Sequence, residues 1–448
     1  MTGRRTRRGL AAPALAGVLA VAVVAVLLAV PSPEAGLAVE ARPALPRVSL
    51  TTQRAIRDDP KVRARVRITD RSFPSAEPEV YDGWGGIELR GQSSQSFPKK
   101  SYGLQLQSRS GSKRDASLLG MPADDDWVLY AAYNDKTLSR NVVAYETSRW
   151  MGRWAASTRF VELELNGRPR GVYVLMERVE LNRARVDVPG KGLTGAYLLE
   201  LTFPWQAGRK GEHFLTPVKR RPILYAEPEG DELSARERGY VQGVVGRAER
   251  ALYGGRDWRR ALDEGSAVDY VLLQELFRNV DGFNASTFMV KGAGRRLAMG
   301  PVWDFDLAMG NARQNNADAT RGWGVRSRVW ASKLHSDPAF RRALAARWAQ
   351  LRRSGLRAAV LGAVDRSAAQ LVDTGAAGRN FRRWPILDRR VWQNPTARGS
   401  YAAEVRALRR WLSLRVAWMD RALGARSLRA FDGVAPADAA PPADLPPG

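Results

Sequence analysis

Two short stretches carry the densest polar information in the chain. They are Arg278-Asn-Val-Asp281-Gly-Phe-Asn284 and Gly300-Pro-Val-Trp-Asp304-Phe-Asp306-Leu-Ala-Met-Gly310-Asn311. Three carboxylates and an amide, set among apolar Val302, Trp303, Phe305 and Leu307, repel one another unless a cation lies between them. Oxygen donors of this kind suit a hard divalent ion, Mg²⁺ or Mn²⁺, with positions left open for a substrate. The plain alternative is that Asp304 and Asp306 cap a helix beginning near Leu307. A third reading pairs Asp304 with Asp306 in glycoside hydrolysis, since i, i+2 carboxylates on a strand lie about 6.8 Å apart and inverting enzymes use about 6.5–9.5 Å. A second constellation runs Leu89-Arg-Gly-Gln-Ser-Ser-Gln-Ser-Phe-Pro-Lys99-Lys100-Ser-Tyr. Its Gly/Ser loop offers backbone N–H groups and the hydroxyls of Ser93 and Ser94, with Arg90 before it and Lys99 and Lys100 after it. Such groups hold phosphate oxygens; the other reading is an ordinary turn.

The elements around these residues decide whether they meet. Asp281 falls just past a helix whose apolar Val268, Val271, Leu272, Leu276 and Val280 share a face, and Ser266 with Asp269 reads as its capping box. Residues 286–300 read as a hairpin turning at Lys291-Gly-Ala-Gly294, and Asp304 falls just past its second strand. A hairpin returns its exit beside its entry, with strands about 4.8 Å apart. Asp281, Asn284 and Asp304 are therefore expected on one edge, and Asp306 faces the same side if the backbone is extended.

Upstream, residues 47–205 read mostly as strands of period two, including a hairpin turning at Asn166-Gly167. One helix interrupts them, marked by Leu138, Val142, Tyr145 and Met151. From about 234 the pattern is helical, with Asp337-Pro338 opening a helix and Val405, Leu408, Leu412, Met419 and Leu423 on a final stripe. The expected class is α+β: a β-rich lobe over about 47–230 and a helical lobe over about 231–430, together one domain of 47–430. Trp84, Trp127 and Trp303, at strand positions, read as core rather than as sugar platforms. Arg140 is either an anion ligand or half of a structural ion pair.

Composition narrows the chemistry. The 448 residues include no Cys and only His213 and His335, which removes thiol nucleophiles, disulfides and zinc ribbons and makes His-based acyl chemistry improbable. The net charge of +25 is spread along an Arg- and Ala-rich chain rather than massed in a stripe, as expected of a basic solvated surface; no specific nucleic-acid partner is expected. Arg4, Arg5, Arg7 and Arg8 precede an uncharged run from Leu10 to Val30. Residues 1–31 thus read as a signal peptide or a membrane anchor through residues 10–30, with the rest extracytoplasmic, anchored or secreted. Residues 32–46 form a Pro-rich linker, and 431–448 a Pro/Ala-rich tail expected to be disordered.

The runs RGQSSQSFPKKSY, LLGMPADDDWVLYAAYNDKTLSRN, ELNGRPRGVYVLMERVE, NVD and GPVWDFDLAMGN, in this order, resemble the CotH kinase family. The resemblance implies a divergent, two-lobed protein-kinase-like fold that transfers phosphate from ATP to Ser/Thr of a protein acceptor, as spore-coat CotH proteins do, with Mg²⁺ or Mn²⁺. Carried across, Asp281 resembles the catalytic-loop Asp and Asn284 a second metal ligand, while Asp304 stands where the metal-binding Asp follows. Lys100, or Lys99, matches the phosphate-contacting Lys, with Glu146 or Glu177 as its pairing partner. The HRD triplet of ordinary kinases is absent. A non-catalytic surface or envelope binding module on the same fold is the competing expectation; nucleotide binding separates the two.

Overall fold

The computed structural model describes residues 43–71, 79–190 and 192–424. The expected export segment 1–31, most of the linker and the tail 431–448 lie outside the described residues. Among the described residues, no helix is long and apolar enough to cross a membrane.

Alternating sequences in the first third become β1 (Arg47–Thr51), β2 (Val62–Thr69), β3 (Glu79–Arg90), β4 (Ser101–Gln107), β5 (Asp126–Tyr130), β6 (Thr158–Leu165) and β7 (Arg168–Glu177), with α1 (Arg140–Trp150) inserted between β5 and β6. They close into a seven-stranded barrel in the order β1-β2-β3-β4-β5-β7-β6. The pairings are antiparallel except the last, where β1 lies parallel to β6 with Val48 opposite Leu163. One side of each strand fills the interior: Val66, Ile68, Leu104, Trp127, Leu129, Leu163 and Leu175 are buried together. The opposite side, with Val128, Val174 and Met176, packs into the main helical core. Period two thus gives these strands two apolar faces, one for the barrel and one for the helices.

A second, five-stranded sheet is built from β8 (Tyr197–Leu201), β9 (His213–Leu215), β10 (Pro222–Glu227), β11 (Thr287–Lys291) and β12 (Ala298–Met299), in the order β12-β11-β8-β10-β9. It draws strands from both sides of residue 230. The β11–β12 hairpin is where the sequence places it, with Met289 opposite Met299. The helices are α2 (Pro204–Lys210), α3 (Ala235–Tyr253), α4 (Glu264–Phe277), α5 (Ala331–Ser336), α6 (Pro338–Arg353), α7 (Leu356–Asp373), α8 (Ala376–Arg383) and α9 (Tyr401–Ala422). The architecture is α+β, with strands dominating the first half and helices the second. The β-rich part closes into a barrel, and α1, from the strand-rich half, shares the main core with the C-terminal helices.

Two local expectations are corrected. The cap of α4 is Asp263, whose carboxylate accepts from Ser266 N at 2.7 Å, so Ser266 sits inside the first turn. No helix begins near Leu307. Residues 306–310 are turns, and the next helical residues are the 3₁₀ turn Gln314–Asn316. That removes the capping role for Asp304 and Asp306.

Candidate active site

The barrel's outer face and the second sheet enclose a cavity of about 1610 Å³. The barrel wall contributes Glu88, Arg90, Ser101, Val128, Tyr130, Met176 and Arg178; the opposite wall contributes Asp281, Asn284, Ser286, Asp304 and Asp306. Gly91, Ser93 and Ser94 lie at its rim.

The Asp281 loop starts where α4 stops. Arg278 takes a left-handed conformation (φ 47°) that turns the chain off the helix. Asn284 N and Ala285 N then donate to Asp281 O at 2.7 and 2.8 Å, closing a tight turn that brings Asp281 and Asn284 together. Arg328 Nη1 donates to the carbonyls of Asn279, Val280 and Gly282 at 3.1, 2.7 and 2.7 Å, and Arg221 Nη2 holds Asn284 O at 2.6 Å. A Cβ on Gly282 would lie 2.5 Å from Gln274 Oε1, so a larger residue there would require the Gln274 side chain on α4 to shift. Burial pulls the Arg328 guanidinium down to about 10, against the opposing pull of Asp281 and Glu275; it stays charged behind the loop.

The Asp304 segment is fixed from α1. Tyr145 Oη accepts from Asp304 N at 3.3 Å and Asn141 Oδ1 from Phe305 N at 2.7 Å. The Tyr145 ring stacks on Trp303, with centroids 5.6 Å apart, and Phe305 is fully buried edge-on to Tyr145 and Phe277. Arg140 reaches Ala308 O at 3.1 Å and pairs with buried Asp135, so it is a structural ion pair and not an anion ligand. Asp304 has φ 63°, and Phe283, Ser286 and Met309 in the same region are also positive. Asp tolerates this region; Phe and Met do not. Strain of order 1–3 kcal/mol each, held in place by packing, is what functional loops accumulate.

The carboxylates are close enough to feel one another's charge. Burial first, then the charges of Asp304 and Asp281, push the Asp306 carboxyl well above its ordinary range, while the Asn134 amide hydrogen-bonded to it pulls the other way. Ser286 Oγ donates to Asp304 Oδ2 at 3.3 Å. Among the described residues there is no group of three or more His, Cys, Asp or Glu spaced as a ready-made metal cage. The oxygen donor set nonetheless fits a Mg²⁺-type ion, which is held by one or two carboxylates and completes its shell with water and substrate phosphates. Asp304, Asp306 and Asn284 are the residues that would hold it.

The other expected residues divide. Arg90 sits on the barrel wall with its guanidinium 5.9 Å from the Trp303 ring centroid, lowered from its usual range by burial and then by neighbouring Arg178. Ser93 and Ser94 form a 3₁₀ turn after Gly91, whose φ of 102° and absent Cβ (which would meet Ser94 Oγ at 1.9 Å) shape the loop. Lys99 and Lys100 do not line the cavity. Lys99 is 2% exposed, donates to Val172 O and to Asn380 Oδ1 at 3.0 Å, and is depressed well below the usual lysine range by burial. Lys100 Nζ donates to Gln95 O and steadies the loop from behind. Glu146 pairs with Arg366 on α7 at 2.8 Å, and buried Glu177 accepts from Ser157 N at 2.6 Å; neither reaches a lysine. Trp127 is barrel core, Trp84 lies under Arg63 at 4.3 Å, and Trp303 lines the cavity.

Lys99→Met is accordingly expected to act on stability, lowering it by about 1–3 kcal/mol because the Val172 carbonyl loses a buried donor. Denaturant titration beside nucleotide affinity checks this. An undamaged fold with lost affinity would return Lys99 to the phosphate site.

Tyr130, Asn134, Asn141, Tyr145 and Arg178 are site residues that sequence reasoning missed. Asn141 and Tyr145 sit on a helix face that reads as core, and only the spacing DWVLY before AAYN hinted that β5 ends at the cavity.

A search of curated proteins gives no match. The model of the family described as CotH kinase protein matches residues 87–419, a stretch that spans both walls of the cavity and most of the helices behind it. With three quarters of its length inside that match, the chain belongs to the CotH kinase family.

Proposed function

We propose that the chain is a metal-dependent kinase that moves the γ-phosphoryl of ATP to a Ser or Thr hydroxyl of a protein acceptor. One observation carries the reading: one cavity gathers cationic and hydroxyl donors of the barrel wall together with carboxylates of the opposite wall. Arg90, Arg178 and the Gly91–Ser94 loop face Asp281, Asp304 and Asp306. A metal–polyphosphate complex has the complementary polarity, with anionic oxygens for the first wall and a cation for the second.

A bound divalent ion would supply charge neutralisation at the phosphates. The rest falls to the chain. Arg90 and the rim loop orient the phosphates; Lys100 contributes only by holding Gln95. Asp281, fixed by Arg328 and by its own turn, accepts the proton of the acceptor hydroxyl as its oxygen attacks the γ-phosphorus and the bond to the β–γ bridging oxygen breaks, releasing ADP. Asn284 and Asp304 keep the metal side in register. Titration calorimetry with ATP, with and without Mg²⁺ or Mn²⁺, tests the reading, followed by transfer from γ-labelled ATP. Binding only with the divalent ion is expected. No binding under either condition overturns the kinase reading, and binding without any transfer or hydrolysis turns it into the non-catalytic module.

The basic flank and uncharged run of residues 1–31 support an extracytoplasmic location, anchored or secreted. Recovery of the full chain from the soluble cytosol of its host would refute that.

A further inference from the structure

Tyr130 ends β5 on the face that looks into the cavity, in the same corner as Ser101, Asn134 and Asn141. Its hydroxyl is shielded from solvent and meets no hydrogen-bonding partner. A buried hydroxyl without a partner costs stability and is uncommon in native proteins. The surroundings make this one more telling. The charges acting on the phenol are, in order, Asp306, Asp135 and Asp304. Asp135 is already engaged by Thr137 and Arg140, and Asp304 takes Ser286. Asp306 has a side-chain hydrogen bond from Asn134 and room for another. A buried donor without a partner therefore belongs to a residue lining the same cavity as the Asp306 carboxyl.

Resting on the metal-dependent reading above, we infer that Tyr130 is the positioning residue of Asp306. When a cation draws the Asp306 carboxylate toward it, the Tyr130 O–H and the Asn134 amide donate to that carboxylate and hold it turned toward the ion. No bond is made or broken. Neighbours that orient a metal-binding side chain in this way typically change metal affinity 10–100-fold when removed.

Tyr130→Phe removes the hydroxyl and keeps the ring, so packing against the core survives. The probe is Mn²⁺ alone, followed by electron paramagnetic resonance, beside thermal unfolding of the metal-free protein. The expected result is Mn²⁺ affinity 10–100-fold weaker than wild type, with metal-free unfolding at the same temperature or higher, because an unsatisfied donor has gone. Equal Mn²⁺ affinity in the two proteins overturns the role of Tyr130 and leaves the metal site standing. A lower unfolding temperature in metal-free Tyr130→Phe also overturns it, in favour of plain packing. Wild type that binds no Mn²⁺ overturns this inference together with the metal site.

Discussion

Asp304→Asn is expected to abolish phosphoryl transfer, by about 10³-fold or more, while the metal-free protein folds as well as wild type or better. The loss corresponds to about 4 kcal/mol at 1.36 kcal/mol per decade, within the several kcal/mol that a metal ion contributes to such a transition state. The undamaged fold follows from the neighbours. Asp304 adds negative charge beside Asp306, whose carboxyl is already held above its ordinary range by burial, then by Asp304 and Asp281. Asn keeps the shape of the side chain and is at ease at a φ of 63°, so neither packing nor backbone suffers.

The same cluster gives the experiment a pH signature. A carboxyl with a raised folded-state pKa favours the folded protein in acid, where it is protonated; that stability is full below about pH 4 and is lost as pH rises through the folded value. Metal-free wild type should thus lose stability as pH rises from about 4 through Asp306, and Asp304→Asn should lose less, since one of the repelling charges is gone. Thermal unfolding across that range, with and without Mn²⁺, reads both effects. A metal-free Asp304→Asn protein markedly less stable than wild type would show that Asp304 supports the fold, and the catalytic assignment would fall.

How far this site could be read from sequence depends on the range of the interactions that build it. Asp281, Asn284 and Asp304 meet because a short hairpin joins them, and a turn with two flanking strands is local information. The Asn166-Gly167 turn is legible for the same reason, both residues taking positive φ. Barrel closure is not local: β1 pairs with β6 more than a hundred residues away, and nothing in either strand announces it. Lys99 shows the same limit from the side of chemistry. Two lysines after a Gly/Ser loop look like phosphate ligands. The fate of the first is set by Asn380 on α8 and the Val172 carbonyl, partners far along the chain. Arg278, Phe283 and Met309 hide the strain around the site, because residues that ordinarily avoid positive φ carry no turn signal.

Arg415→Met is expected to give the largest loss of stability of any single change considered, about 3–5 kcal/mol, by leaving buried Glu275 without its counter-ion. Both side chains are fully buried, paired at 3.1 Å. Glu275 also accepts from Gly324 N and Val325 N at 2.6 and 2.8 Å. Arg415 donates further to Gly322 O at 2.6 Å and to Glu275 O. The pair therefore ties α9 to α4 just ahead of the Asp281 loop and to the 320–325 segment at once. Burial lowers the guanidinium to about 9, so at neutral pH it is charged and Glu275 depends on it. Against a total stability of about 5–15 kcal/mol, a loss of that size leaves a marginal fold. Adding Glu275→Gln should recover part of it, because the buried charge goes while the single amide oxygen still accepts from one of Gly324 N and Val325 N. Denaturant unfolding of the single and double variants measures the coupling. If Arg415→Met unfolds at the wild-type midpoint, α9 is held by its apolar stripe of Leu408, Leu412, Val416 and Met419 alone, and the buried pair adds nothing to the support beneath Asp281.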